Sequence, residues 1–198
     1  IGGCSSTSNV IAGQMFDVPV AGTMAHSWVM DYPTEYEAFR AYAKAYPENC
    51  LLLVDTYDTL RSGVPNAIKV FKELREEGYE PKGIRLDSGD LAYLSKKARK
   101  MMDEAGFPNA KICVSGDLDE RSINSLLQQG AKIDSWGVGT RLITSEDLPA
   151  LGGVYKLAAV IEKDGRVTPK IKLSDNTAKI TNPAFKSLYR LCDKDNGM

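Results

Sequence analysis

The residue types best suited to chemistry in this chain recur at a near-constant interval. Asp55 closes LLLVD, Arg85 and Asp87 stand in GIRLDSGD, and Asp117 ends VSGD, 32 positions separating 55 from 87 and 30 separating 87 from 117. Each follows a short apolar run, where an ionised group is costly to bury without partners. Side chains alternate along a strand, so Arg85 and Asp87 share one face and Ile84 and Leu86 the other. Carboxylates gathered from three such runs could accept from sugar hydroxyls or hold a metal. WGVGT (136–140) supplies a complementary half. Its glycines, Gly137 and Gly139, let backbone N–H groups come close to an anion, and Thr140 adds a hydroxyl. His26, in GTMAHSW, is the chain's only histidine. Its imidazole could act as a general base or as a nucleophile toward phosphorus. One histidine cannot build a histidine-rich metal centre within this chain.

Plainer uses compete for the same residues. Asp117 with Glu120 fits a capping box, and Asp87, Ser88 or Asp90 could each cap a following helix. Arg85 could close a structural ion pair with Asp55 or Asp87. A Gly-rich turn is often only a turn. Recurrence at the ends of consecutive strands favours a shared polar pocket, because perturbed charges concentrate at sites.

The elements that would position these groups alternate. Apolar runs at 51–54, 83–86, 111–114 and 133–138 read as strands, with an earlier one at 16–20. Helical spacing of apolar residues marks 35–45, 64–78, 91–106 and 119–130, with Gly78 as a C-cap. Strand and helix in turn, with short glycine-marked turns, predict an α/β fold with a parallel sheet. The regularity leans toward a (β/α) barrel, although an open doubly wound sheet gives a similar pattern. The polar residues fall at the strand C-termini, where sites of both architectures gather. His26 is expected at the end of the 16–20 strand. Runs at 154–161 and 167–173 flank Lys163-Asp164-Gly165, a hairpin turn, and Asn182-Pro183 breaks the pattern beyond. Residues 1–150 thus read as the barrel portion, and 151–198 as an antiparallel appendage belonging to a second domain.

Composition narrows the function classes. Hydrophobic residues make up 43% and charged ones 26%, with a net charge of −1. That balance offers no basic field for nucleic acid or an anionic membrane. No apolar run approaches the ~20 residues of a membrane-spanning helix. Cys4, Cys50, Cys113 and Cys192 lie far apart without a CxxC spacing, which suits free thiols in a reducing cytoplasm. Ile1-Gly2-Gly3 has no initiator Met, signal-peptide pattern or helix start, so a fragment is expected, cut within a structural element.

GGCSSTSNVIAG, PVAGTMAHSW, LLLVDTYDT, GIRLDSGDL, SGDLDE, WGVGT and the VYKL…KLS…NPAFKSLYR tail, in that order, resemble the nicotinate phosphoribosyltransferase family over nearly the whole chain. The resemblance implies an incomplete phosphoribosyltransferase-type barrel with a further domain. It also implies formation of nicotinate mononucleotide and pyrophosphate from nicotinate and phosphoribosyl pyrophosphate, coupled to ATP hydrolysis, with Mg²⁺ as the metal. His26 would be the residue that ATP phosphorylates. Arg85 and Asp87 would contact the ribosyl and pyrophosphate portions, with Ser88 in the same motif and Asp55 in a supporting or metal-linked role. Gly116 and Asp117 would line the ribose, Gly137, Gly139 and Thr140 the 5′-phosphate, and Thr7 and Ser8 the pyridine. The family's N-terminal arginine and aromatic for the pyridine ring do not occur in this sequence. A homodimer is implied for the full-length protein, and the piece alone is expected to be inactive. Nicotinamide or quinolinate phosphoribosyltransferase stays open as an alternative, as does a non-catalytic nucleotide-binding fragment.

Overall fold

The structure, a computed structural model, describes residues 3–144, 155–173, 180–187 and 189. Its frame is a four-stranded parallel sheet of β1 (Leu51–Leu53), β2 (Gly83–Leu86), β3 (Lys111–Val114) and β4 (Ser135–Trp136), adjacent in chain order. Leu53 pairs with Arg85, Arg85 with Cys113, and Val114 with Trp136. The ladder runs one bond further at each rim: Val54 N–H donates to the Arg85 carbonyl at 3.1 Å, Ser115 to Leu86 at 2.9 Å, and Gly137 to Val114 at 2.7 Å. The strand ends are therefore level, and the residues just beyond them face a common edge.

Between strands lie α4 (Val64–Glu76), α5 (Leu91–Glu104) and α6 (Glu120–Gln128). In α4 the buried residues Val64, Ala67, Val70, Phe71 and Leu74 form one apolar stripe, and Pro65 sits in the first turn where its missing N–H costs nothing. Phe71 meets Phe107 edge-on at 5.5 Å, and both pack with Ile84, Leu86, Ile112 and Val114 of the sheet. Asp90 caps α5 by accepting from Tyr93 N–H at 2.9 Å. Upstream are α1 (Val10–Phe16), α2 (His26–Asp31) and α3 (Glu35–Ala45), the last capped by Thr34. After Thr140–Ile143, a single turn labelled α7, come β5 (Ala159–Ile161) and β6 (Val167–Pro169). These two form the expected antiparallel hairpin, turning at Gly165 with φ 83°.

Four expectations change. No strand forms at 16–20: the apolar residues Val10 to Phe16 wind into α1, Asp17 ends it in a left-handed conformation, and Val20 keeps only a lone parallel bridge to Thr7. The expected strand 133–138 shortens to Ser135–Trp136. Helix α6 buries none of its residues, and Leu127 is 56% exposed. Its cap is Asp119, in a reciprocal pair with Ser122, rather than Asp117 with Glu120. The 145–154 junction and Leu191 and Cys192 of the tail lie outside the described residues. Among the described residues no helix is long and apolar enough to cross a membrane.

Candidate active site

The level strand ends bring Asp55, Asp87 and Ser115 side by side. Asp55, 5% exposed, accepts at Oδ2 from the Asp87 N–H at 2.9 Å and from Ser88 Oγ at 2.6 Å. Asp87 accepts at Oδ1 from Ser115 Oγ at 2.5 Å. The first carboxylate thus orients the loop that carries the second, and the third strand end holds the second by a hydroxyl. Ser88 belongs to this network, so Asp90 alone of the three candidate caps serves α5.

His26 joins the same cluster, from the first residue of α2 rather than from a strand end. Thr23 Oγ1 donates to the Leu51 carbonyl at 2.5 Å, which ties the approach to α2 onto β1. The imidazole Nδ1 lies 3.1 Å from Thr56 Oγ1. Its Nε2 points between two carboxylates, 3.9 Å from Asp55 Oδ1 and 3.7 Å from Asp87 Oδ2. Those lengths are ion-pair distances, longer than hydrogen bonds. Nε2 and Asp55 Oδ1 are both buried without a hydrogen-bond partner. Two facing buried groups left short of a bond in this way call for an explanation beyond packing.

The electrostatics agree. Burial pushes the Asp87 carboxyl up, yet the His26 ring, the Ser115 hydroxyl and the Arg85 charge bring it down to about 2. Asp87 is thus a fixed anion that remains 34% exposed at its side chain. Arg85 acts on it through charge, with its Nε buried and lacking a hydrogen-bond partner. Among the described residues Arg85 makes no ion pair with Asp55 or Asp87, the structural use that its position also allowed. Ile84 and Leu86, on the other face, are fully buried, as the alternation requires.

The remaining candidates spread along the rim. Gly116, at φ +100°, lets the β3 turn press against the Asp87 carbonyl, which a Cβ there would strike. Asp117 is exposed with φ 49°. Gly137 sits 3.2 Å, at its would-be Cβ, from the Ser115 side chain. Gly139 has open space around it, and Thr140 begins α7. Thr7 and Ser8 stand at the start of α1, where Thr7 bonds Pro19, Ala21 and Asn9, and no bond links them to the His26 cluster. Thr56 was not singled out from sequence. It lies one residue past the strand-end aspartate, and its full burial against His26 emerges only in the fold. Among the described residues no group of three or more His, Cys, Asp or Glu could by itself hold a metal.

Comparison with known proteins matches residues 3–191 to the model of the nicotinate phosphoribosyltransferase (NAPRTase) family. The chain is 59% identical to the nicotinate phosphoribosyltransferase of Bacillus subtilis (strain 168) over 196 residues, 99% of this chain and 39% of that protein. The human nicotinic acid phosphoribosyltransferase structure superposes with a TM-score of 0.65 at 33% identity, covering 69% of this chain and 38% of that one. That of Porphyromonas gingivalis gives 0.68 at 25% identity, over 89% and 48%. The chain thus spans less than half the length of each of these relatives.

Proposed function

The chain belongs to the nicotinate phosphoribosyltransferase family, and from that premise we propose that its strand-end cluster is the sugar-phosphate half of a site joining nicotinate to ribose with release of pyrophosphate. The observation carrying this reading is the convergence of His26, Asp55, Asp87 and Ser115 on one edge, with Nε2 and Oδ1 unpartnered. Breaking the C1–oxygen bond of phosphoribosyl pyrophosphate builds positive charge on the ribose and negative charge on the departing pyrophosphate. Asp87, held ionised, suits the ribose hydroxyls and the growing ring charge; Arg85 suits the departing phosphates. Gly137, Gly139 and Thr140 offer backbone and hydroxyl donors for the 5′-phosphate, with Gly116 and Asp117 beside the ribose. Thr7 and Ser8 would face the pyridine.

ATP enters as a co-substrate. Attack of the His26 imidazole lone pair on the γ-phosphorus forms the N–P bond and breaks the bond to the β-phosphate oxygen, which leaves with its electrons on ADP. Phosphorylated His26 would add roughly two negative charges beside Asp55 and Asp87, by analogy with other phosphorylated side chains. Repulsion there would reset the cluster and link ATP cleavage to turnover. The residues also fit Mg²⁺: it takes one or two carboxylate oxygens plus substrate phosphates, and Asp55 Oδ1 and Asp87 Oδ2 would provide them. When bound, the ion would neutralise charge on the pyrophosphate.

Strands in chain order, without the reversal of a doubly wound sheet, favour an arc of a barrel. Family likeness supports assigning the hairpin to a second domain, and homodimeric assembly in the cytoplasm. The test is turnover by the full-length protein offered nicotinate, nicotinamide or quinolinate with phosphoribosyl pyrophosphate. Nicotinate is expected to be the preferred substrate; preference for another pyridine would reassign the enzyme.

A further inference from the structure

A second buried carboxyl lies outside the cluster just described. Glu35, the first residue of α3, is 5% exposed. Its Oε2 accepts from Ser62 Oγ at 2.5 Å and from Asn66 Nδ2 at 3.2 Å, and Asn66 Nδ2 also reaches Ser62 Oγ at 3.2 Å. Its Oε1 is buried without a partner. Burying a carboxyl against two neutral donors is an expensive way to attach one helix to another. An apolar residue would pack α3 on α4 at less cost, so the carboxyl's position needs another reason.

The reason lies in what Ser62 belongs to. Thr59–Gly63 is a wide π-type turn leading into α4, a rare form often found at functional sites. Ser62 and Gly63 N–H both donate to the Asp58 carbonyl, at 3.0 and 2.9 Å, while Asp58 Oδ1 accepts from Leu60 and Arg61 N–H. Gly63 presses on the Val54 carbonyl so closely that no Cβ would fit. The turn therefore braces both ends of 54–58, the loop that carries Asp55 and Thr56. Thr56 is fully buried and sets the His26 ring.

We propose that Glu35 is a positioning residue for His26, acting through Ser62 and the Thr59–Gly63 turn to hold Thr56 against the imidazole. The proposal rests on the reading above only in calling that cluster an active site. Its test reads the ring signals of His26 in the full-length protein, assigned by their loss in His26→Gln, in long-range ¹H–¹⁵N spectra that need no substrate. Glu35→Ala should move the His26 ring nitrogen shifts in the direction seen in Thr56→Val, and raise amide exchange at residues 55–58 about tenfold or more. Glu35→Gln, which keeps an acceptor for Ser62, should restore both. Should Glu35→Ala fail to fold, Ser62→Ala removes the same bond and is expected to give the same shifts. Parent-like ring shifts and loop exchange in the folded variant, whatever its melting temperature, would overturn the proposal and leave Glu35 a packing residue. Because no turnover is read, failure of the nicotinate assay and failure of this test are separable.

Discussion

Asp55 Oδ2 accepts a hydrogen bond from the backbone N–H of Asp87 at 2.9 Å, so a side chain at one strand end fixes the main chain at the next. Removing it leaves that N–H and the Ser88 hydroxyl without their acceptor in a partly buried setting. Asp55→Ala should cost about 2 kcal/mol in urea unfolding, the usual penalty for stranded polar groups. Asp55→Asn, which retains one acceptor, should cost less. Equal losses in both would show that the carboxylate's charge, and not its hydrogen bonds, is what the fold uses.

The Asp87 carboxyl gives a pH signature with a definite sign. Its folded value of about 2 lies below the ordinary 3.8, so the unfolded chain binds protons first as pH falls. The stability it contributes is fully present above about pH 5 and is lost as pH drops toward 2. Relative to Asp87→Asn, the parent should gain about 1 kcal/mol between pH 2 and pH 5, after allowance for solvent screening at a one-third-exposed side chain. A stability difference that stays flat across that window would mean that His26, Ser115 and Arg85 do not hold the carboxylate ionised.

Gly116 is where backbone freedom and the site coincide. Its φ of +100° and its contact with the Asp87 carbonyl leave no room for a side chain. Gly116→Ala should destabilise by about 1–3 kcal/mol and should also shift the His26 ring signals, because the displaced Asp87 faces Nε2. Gly139→Ala, where nothing lies within 4 Å and φ is negative, should leave both quantities near the parent's. Matching losses at the two glycines would remove the special role given to the β3 turn.

Much of this arrangement can be read from residue order, and the failures have physical causes. Gly83–Leu86 and Lys111–Val114 carry their expected bounds because each holds a short apolar stretch, Ile84 and Leu86 in one and Ile112 and Val114 in the other, that a doubly covered parallel sheet buries. Asp55 and Asp87 stand out in the sequence because a charge ending such a strand needs a partner, and the fold makes them neighbours. The 16–20 segment failed because local apolar content does not say whether a neighbouring strand exists to pair with, and Val10 to Phe16 satisfies its own backbone as a helix. The capping use open to Asp117 falls to Asp119, two residues on, which forms a reciprocal pair with Ser122. Thr56 and Glu35 were invisible for a common reason: their partners, His26 and Ser62, stand 30 and 27 residues away, and only the folded chain makes them neighbours.

His26 separates coupling from chemistry. In the full-length protein, His26→Ala should abolish stimulation by ATP while some ATP-independent formation of nicotinate mononucleotide survives, since Arg85 and Asp87 remain. Steady-state assays with and without ATP read both quantities. Unchanged stimulation in that variant would take His26 out of the energy coupling.

Isothermal titration of phosphoribosyl pyrophosphate into the full-length protein reaches the sugar-phosphate assignment without depending on turnover. Binding heat in the parent, weakened at least about tenfold, or 1.4 kcal/mol, in both Arg85→Ala and Asp87→Asn, is the outcome expected if these strand ends grip one ribose phosphate. Absence of heat in the parent, or parent-like affinity in both variants, would contradict it.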